Sequence, residues 1–296
     1  MADTRSLLTF RDLVTLDRLD DLTFLGLTPA YPWGRVYGGQ VVAQALAAAA
    51  ATVPEEHTVH SLHAYFVLGG VPEEPIAFHV DRLREGRSFT TRRVVARQAA
   101  GAILNLDASF QRSEPDVDIQ QTAIADDVPL PESIARLEWT PFGDIREIAQ
   151  TTPGARSQLW ARIPPERGEL GDDPLLHACA LAYLSDHNPM DAIMLSHPSG
   201  LNWQQMMMAS LDHNIWFHRP VRADAWMLMD MQGHGLVNAR GIATGAVHGI
   251  DGVHVATVAQ EGLVRSVRGG GAVGRAAAVP EAGTAVKTFD RGTPCC

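Results

Sequence analysis

Three polar side chains in the second half of this 296-residue sequence, Asp186, Ser210 and Gln260, stand in apolar surroundings. Asp186 follows the apolar run 174–185. Ser210 sits between Met206, Met207, Met208 and Leu211, and Gln260 follows Val255, Thr257 and Val258. A carboxylate, a hydroxyl and an amide that converge beside a helix end can hold one water by hydrogen bonds and activate it. At a helix C-terminus the dipole is negative and apolar neighbours desolvate a carboxylate, so both effects oppose ionisation of Asp186. Groups set against their own electrostatics collect at functional sites. The plainer reading of the same residue is a solvated aspartate just past a helix end.

A second group is cationic. Arg82, Arg84, Arg87, Arg92, Arg93 and Arg97 gather in one stretch of a chain whose formal charge is −10. Arginine forks match phosphate oxygens, so a phosphorylated carrier such as coenzyme A is a candidate ligand. A solvated strand face is the competing reading.

Other chemistries find less support. No G-x-S-x-G occurs, which removes the nucleophile elbow of serine hydrolases. The glycines of 269–274 match a dinucleotide loop in spacing, but no βαβ unit fits in the tail that follows. His60, His63, His213 and His218 are too scattered for a metal site and read as hydrogen-bonded histidines of the fold. No metal or cofactor is expected.

Two helices are needed to carry these groups. Asp172 and Asp173 offer N-cap oxygens, Pro174 suits a first helical position and Pro189 limits extension, which predicts a helix over 174–185. Its residues leave no polar face, so other structure must wrap it on most sides. The alanine-rich run 38–53 predicts a second buried helix with a surface that strands can approach closely. Apolar residues at helical spacing in 7–25 predict a short amphipathic helix before it.

Strand patterns rich in Val, Ile, Phe and Thr, or bounded by Gly and Pro, follow each main helix: 58–68, 75–83, 88–98 and 102–111 after the first, 205–218, 225–233, 237–248 and 253–264 after the second. Aligning Tyr65-Phe66 with Trp216-Phe217 brings Gln111 within about two positions of Gln260, the near-constant spacing of two copies of one unit. The expected division is 1–112, a connector at 113–165 with a strand near 157–163, then 166–266, and a disordered tail at 267–296 that ends in Cys295 and Cys296.

Composition bounds the class. At 46% hydrophobic the chain can form one large or two medium cores. Its acidity gives no basic face for a nucleic-acid duplex. No apolar run reaches the length of a membrane helix, and the first residues lack a signal-peptide core, so neither membrane insertion nor secretion is expected. Three cysteines form neither a disulfide framework nor a zinc spacing, and a reducing cytoplasm suits them.

Read for longer motifs, the chain from about residue 7 to 265 resembles the acyl-CoA thioesterase II family. The resemblance rests on VYGGQVVAQAL from Val36, HSLHAYF from His60, REGRSFTTRRVVARQ from Arg84, ASFQ from Ala108, SDHN from Ser185, ASLDHNIWFHRP from Ala209 and VAQEGLVR from Val258. It implies an α+β double hot-dog, two tandem repeats each with a central helix wrapped by an antiparallel sheet. It also implies hydrolysis of fatty acyl-CoA to free acid and CoA. The family's water-holding Asp, Thr and Gln fall on Asp186, Ser210 and Gln260. Ser210 departs from the pattern by one methyl: it keeps the hydroxyl and loses rotamer stiffness.

Expected substrate contacts are Arg87, Arg92 and Arg93 with Gly39 of the glycine pair, and a homo-oligomer is expected. No aspartate ends the first helix, so a site in the first half is expected to be lost. Two rivals remain. Ser185 to Pro189 also resembles the Asp-x-Asn-Pro segment of hot-dog enoyl-CoA hydratases, but Asp191 stands where those enzymes pair a histidine with the aspartate. A non-catalytic acyl-CoA binder is the other.

Overall fold

The computed structural model describes residues 8–31, 33–137, 140–150, 154–198 and 205–266. The expected tail, with Cys295 and Cys296, lies outside them. The first half opens with helix α1 (Phe10–Val14), strands β1 (Asp17–Arg18) and β2 (Thr23–Gly26), and helix α2 (Gly38–Ala50). Four long strands follow: β3 (His57–Phe66), β4 (Ile76–Glu85), β5 (Phe89–Gln98) and β6 (Gly101–Arg112). The helix expected within 7–25 is therefore shorter. Thr9 and Asp12 form a reciprocal capping box at its start, and the chain leaves Val14 for the strands that pair beside β4.

Between the halves, β7 (Asp144–Ile148) and β8 (Arg156–Arg162) precede a short helix α3 (Pro165–Gly168). Residues 113–165 thus do more than connect, because β8 pairs with the second-half strand β11 (Met227–Val237) and β7 pairs with β8. The remainder of this segment covers a small apolar cluster of Trp160, Trp226 and Leu228 with Ile124, Val128 and Ile134. Trp160 Nε1–H donates to the Pro129 carbonyl at 2.9 Å.

The second half holds α4 (Pro174–Ser185), α5 (Pro189–Leu195), β9 (Met206–Ser210), β10 (Asp212–Phe217), β11, β12 (Arg240–Gly249) and β13 (His254–Ser266). Pro174 opens α4, and the Asp173 side chain accepts from Leu175 N–H. Asp172 instead pairs with Arg222 at the surface. α5 was not expected. Pro189 does not end helical structure but restarts it, since a proline costs nothing at a first helical position. α5 then packs on β11 and β12 so closely that a Cβ on Gly233 would strike the Ala192 carbonyl.

The thirteen strands of the described residues form one antiparallel sheet, in the order β1-β2-β4-β5-β6-β3-β10-β13-β12-β11-β8-β7 with β9 also on β13. The halves join at β3 and β10, where Ala64 faces His213 and Leu62 faces Ile215. α2 and α4 pack on each other, α2 also touches β3 to β6, and one contiguous apolar core spans both halves. This is the double hot-dog architecture. No helix of the described residues is long and apolar enough to cross a membrane.

Candidate active site

α4 ends at Asp186, and α2 begins at Gly38 without a side-chain cap of its own. The two ends meet. Gly39 N–H donates to Asp186 Oδ2 at 2.8 Å, so the carboxylate at one helix's C-terminus caps the other helix's N-terminus. Contact this close requires glycine: a Cβ on Gly39 would strike the Tyr183 carbonyl, one turn back on α4. Tyr37 O–H donates to that same carbonyl at 2.8 Å and locks the crossing.

The expected conflict between Asp186 and its helix dipole is thus only half of its electrostatics. Burial pushes the Asp186 carboxyl up to about 7, against the pull of the Gly39 N–H and the Gln260 amide. Its Oδ1 is buried and makes no hydrogen bond to the described residues.

Ser210 and Gln260 reach the same place from neighbouring strands. Gln260 Nε2–H donates to Ser210 Oγ at 2.7 Å, and both residues are buried. β9 and β10 meet β13 with one extra residue on their side: Ser210 faces Gly262, whereas Asn214 faces Ala259. Between these pairs three residues, 211–213, oppose two, 260–261, and the bulge turns both Ser210 and His213 inward, although three positions apart would put them on opposite faces of a regular strand. All three residues expected to hold water are brought together.

The structure adds two residues to this cluster. His213 Nδ1 lies 2.6 Å from Gln260 Oε1, its Nε2 lies 2.9 Å from Ser185 Oγ, and its ring is wholly buried. Burial pushes the imidazole down to about 4, partly opposed by Gln260, so it is neutral at physiological pH. The strand bulge was the missing signal. Without it His213 reads like the others, and His60, His63 and His218 do make ordinary pairs with Ser109, Asn214 and Thr257.

The arginines separate by face. Arg92 points inward and is fully buried. Its guanidinium donates to Thr52 Oγ1, the Thr52 carbonyl and the Arg84 carbonyl at 2.8 to 3.0 Å, and meets Glu85. The expectation that it binds substrate phosphate is corrected: its donors close the C-terminus of α2, where a cation suits the dipole. Arg93 is held by both oxygens of Asp107, and Arg87 is exposed. Gly39 contacts Asp186 and Tyr183, and so serves the helix crossing.

Two other features are separate from the trio. Val14, Leu16, Phe24, Ala47, Ala50, Ala51 and Leu175 line an apolar cavity of about 200 Å³ at the far end of α2. Glu147, His187 and Asp191 bring ligand-type atoms within 4.8 Å of one another, with His187 Nε2 3.3 Å from Glu147 Oε1.

Comparison with known proteins agrees with this geometry. Residues 27–111 match the acyl-CoA thioesterase N-terminal domain, and residues 111–264 match the acyl-CoA thioesterase C-terminal domain. Acyl-coenzyme A thioesterase 8 of Homo sapiens is 36% identical over 89% of this chain and 90% of its own. Acyl-CoA thioesterase 2 of Haemophilus influenzae is 34% identical over 86% and 96%. The crystal structure of acyl-CoA thioesterase II TesB2 from Mycobacterium marinum superimposes with a TM-score of 0.76 at 33% identity, over 88% of this chain and 99% of that one. Two domains matched in order, and relatives this similar along nearly their whole length, make the chain a member of the acyl-CoA thioesterase II family.

Proposed function

We propose that the protein hydrolyses fatty acyl-CoA to free acid and CoA, using a water held by Asp186, Ser210 and Gln260. The observation that carries this reading is the carboxylate itself: buried, held by Gly39 N–H on one oxygen, with the other making no hydrogen bond to the described residues. A carboxyl raised to about 7 is a stronger base than an ordinary aspartate and is still ionised in useful amount near neutrality. Oδ1 takes a proton from the water, Ser210 Oγ and the Gln260 amide fix the water's position, and its oxygen attacks the thioester carbonyl; the tetrahedral adduct then breaks its C–S bond and the CoA thiolate takes up the proton held by Asp186. Thioesters have weak resonance stabilisation and a good leaving group, so positioning suffices without a nucleophilic serine.

Of Arg87, Arg92 and Arg93, Arg87 is the exposed one, and its guanidinium is the proposed contact for the CoA phosphates. The proposed assembly is a homo-oligomer, which would cover Tyr65, Val67, Leu68 and Val71, all at least half exposed. A reducing cytoplasm suits Cys179, a free thiol whose burial pushes its ionisation far up.

Single-turnover hydrolysis of a fatty acyl-CoA in ¹⁸O water tests the route. Label is expected in the released acid and absent from Asp186. Labelled Asp186 would mean covalent attack through an anhydride, and acyl-CoA binding without thiol release would mean a non-catalytic binder.

A further inference from the structure

We propose that His213, at the centre of a hydrogen-bond chain that starts at Ser185, fixes which way the Gln260 amide faces and is thereby a positioning residue for the trio. The inference rests on the trio as the water-holding site. Ser185 Oγ to His213 Nε2 is 2.9 Å, His213 Nδ1 to Gln260 Oε1 is 2.6 Å, and Gln260 Nε2 to Ser210 Oγ is 2.7 Å. All four side chains are buried.

An amide can turn over, exchanging oxygen for nitrogen with almost no change of shape. Next to Asp186 the two orientations differ greatly. One aims N–H groups at Ser210 and the carboxylate; the other aims a carbonyl oxygen at a carboxylate, which repels it. The neutral imidazole decides between them, because it carries one N–H and one lone pair.

With the proton on Nδ1, His213 donates to Gln260 Oε1, and Nε2 accepts the Ser185 hydroxyl proton. With the proton on Nε2, the Ser185 hydroxyl must turn to the Ala182 carbonyl, and bare Nδ1 demands an N–H from a reversed Gln260. Gln260 Oε1, which can only accept, lies 2.6 Å from Nδ1 while Gln260 Nε2 faces Ser210, so Nδ1 carries the proton and Nε2 is left to accept from Ser185 Oγ at 2.9 Å. Ser185, one residue before the base, supplies the hydroxyl proton that Nε2 accepts in this arrangement.

The first test uses the intact protein with ¹⁵N-labelled histidine, His213→Asn identifying the signal. Long-range ¹H–¹⁵N spectra should show the proton on Nδ1 and a neutral ring from about pH 6 to 8. A proton on Nε2, or a charged ring, overturns the proposal whatever the variants do. The second test is kinetic. His213→Leu should lower kcat on the order of 10–100-fold with KM within about twofold. The same change in a Gln260→Ala background should cost less than about twofold, because the group it acts on is gone. His213→Asn, which can still donate to Gln260 Oε1, should recover most of kcat. Additive losses in the double variant, or wild-type kcat in His213→Leu beside an impaired Gln260→Ala, would overturn the positioning role and leave the trio intact. Wild-type kcat in both Asp186→Asn and Gln260→Ala would overturn the trio instead.

Discussion

Gly39 N–H reaches Asp186 Oδ2 across 2.8 Å and 147 positions of sequence, so the N-terminus of the first repeat's helix holds the carboxylate at the C-terminus of the second repeat's helix. The halves are not independent. A Cβ at position 39 has no space against the Tyr183 carbonyl. Gly39→Ala is expected to cost roughly 2–4 kcal/mol of stability through overpacking at a buried crossing, and to move Asp186. Urea denaturation and kcat should fall together. A variant with wild-type kcat would separate the crossing from the site.

As the proposed base, Asp186 should set the pH dependence of activity. The base must be ionised, and its carboxyl is raised to about 7. kcat/KM should therefore rise about tenfold per pH step below that value and level off above it. His213 titrates near 4 and adds no second limb in the neutral range. A profile already flat at pH 5 would exclude Asp186 as the base.

The same raised carboxyl has a stability consequence of known sign. A group that the fold pushes from 3.8 to about 7 favours its protonated form. Its contribution is fully present below pH 3.8, is lost as pH rises through about 7, and leaves a cost on the order of 4 kcal/mol above that. Asp186→Asn removes the charge and keeps the shape. It should lower turnover on the order of 10²–10⁴-fold, yet be more stable than wild type at pH 8 and lose that advantage towards pH 4. Equal denaturation midpoints at both pH values would contradict the buried-charge account.

Much of this is legible in the sequence, for identifiable reasons. The cap at Asp173, the alanine run of α2 and the alternating strands are local signals, and local signals survive in sequence. The repeat was legible because spacing survives after identity fades. What escaped were relations made only by the fold. Asp186 looked opposed by a dipole because its second helix lies 147 residues away. His213 looked like a structural histidine because a one-residue bulge, which alternation cannot show, turns it inward. Arg92 and Arg93 are adjacent in sequence and opposite in fate, since neighbours on a strand face opposite sides.

That division of the arginines separates two kinds of loss. Arg92 spends its donors on the Thr52 and Arg84 carbonyls inside the protein. Arg92→Met should cost roughly 3–5 kcal/mol, because buried acceptors and Glu85 lose their partner, while the folded fraction keeps its KM for acyl-CoA. Arg87→Ala should leave stability unchanged and raise KM several-fold at low salt, less at high salt. Thermal melts and salt-dependent kinetics on the two variants distinguish a structural arginine from a phosphate contact.

Ser210 tests whether the hydroxyl or its rigidity matters. Gln260 Nε2–H donates to Ser210 Oγ, which leaves the hydroxyl proton available to the proposed water. Ser210→Ala removes that donor and should lower kcat on the order of 10-fold or more. Ser210→Thr keeps the hydroxyl and adds a methyl that suits a strand and limits χ1 rotation. The serine sits at the end of β9, next to the bulge, and is nearly buried, so the methyl must fit against close neighbours. With the hydroxyl retained and its rotamer narrowed, kcat should stay within about twofold of wild type. A tenfold loss in Ser210→Thr, with Ser210→Ala unaffected, would show that packing at this position matters and its hydrogen bond does not.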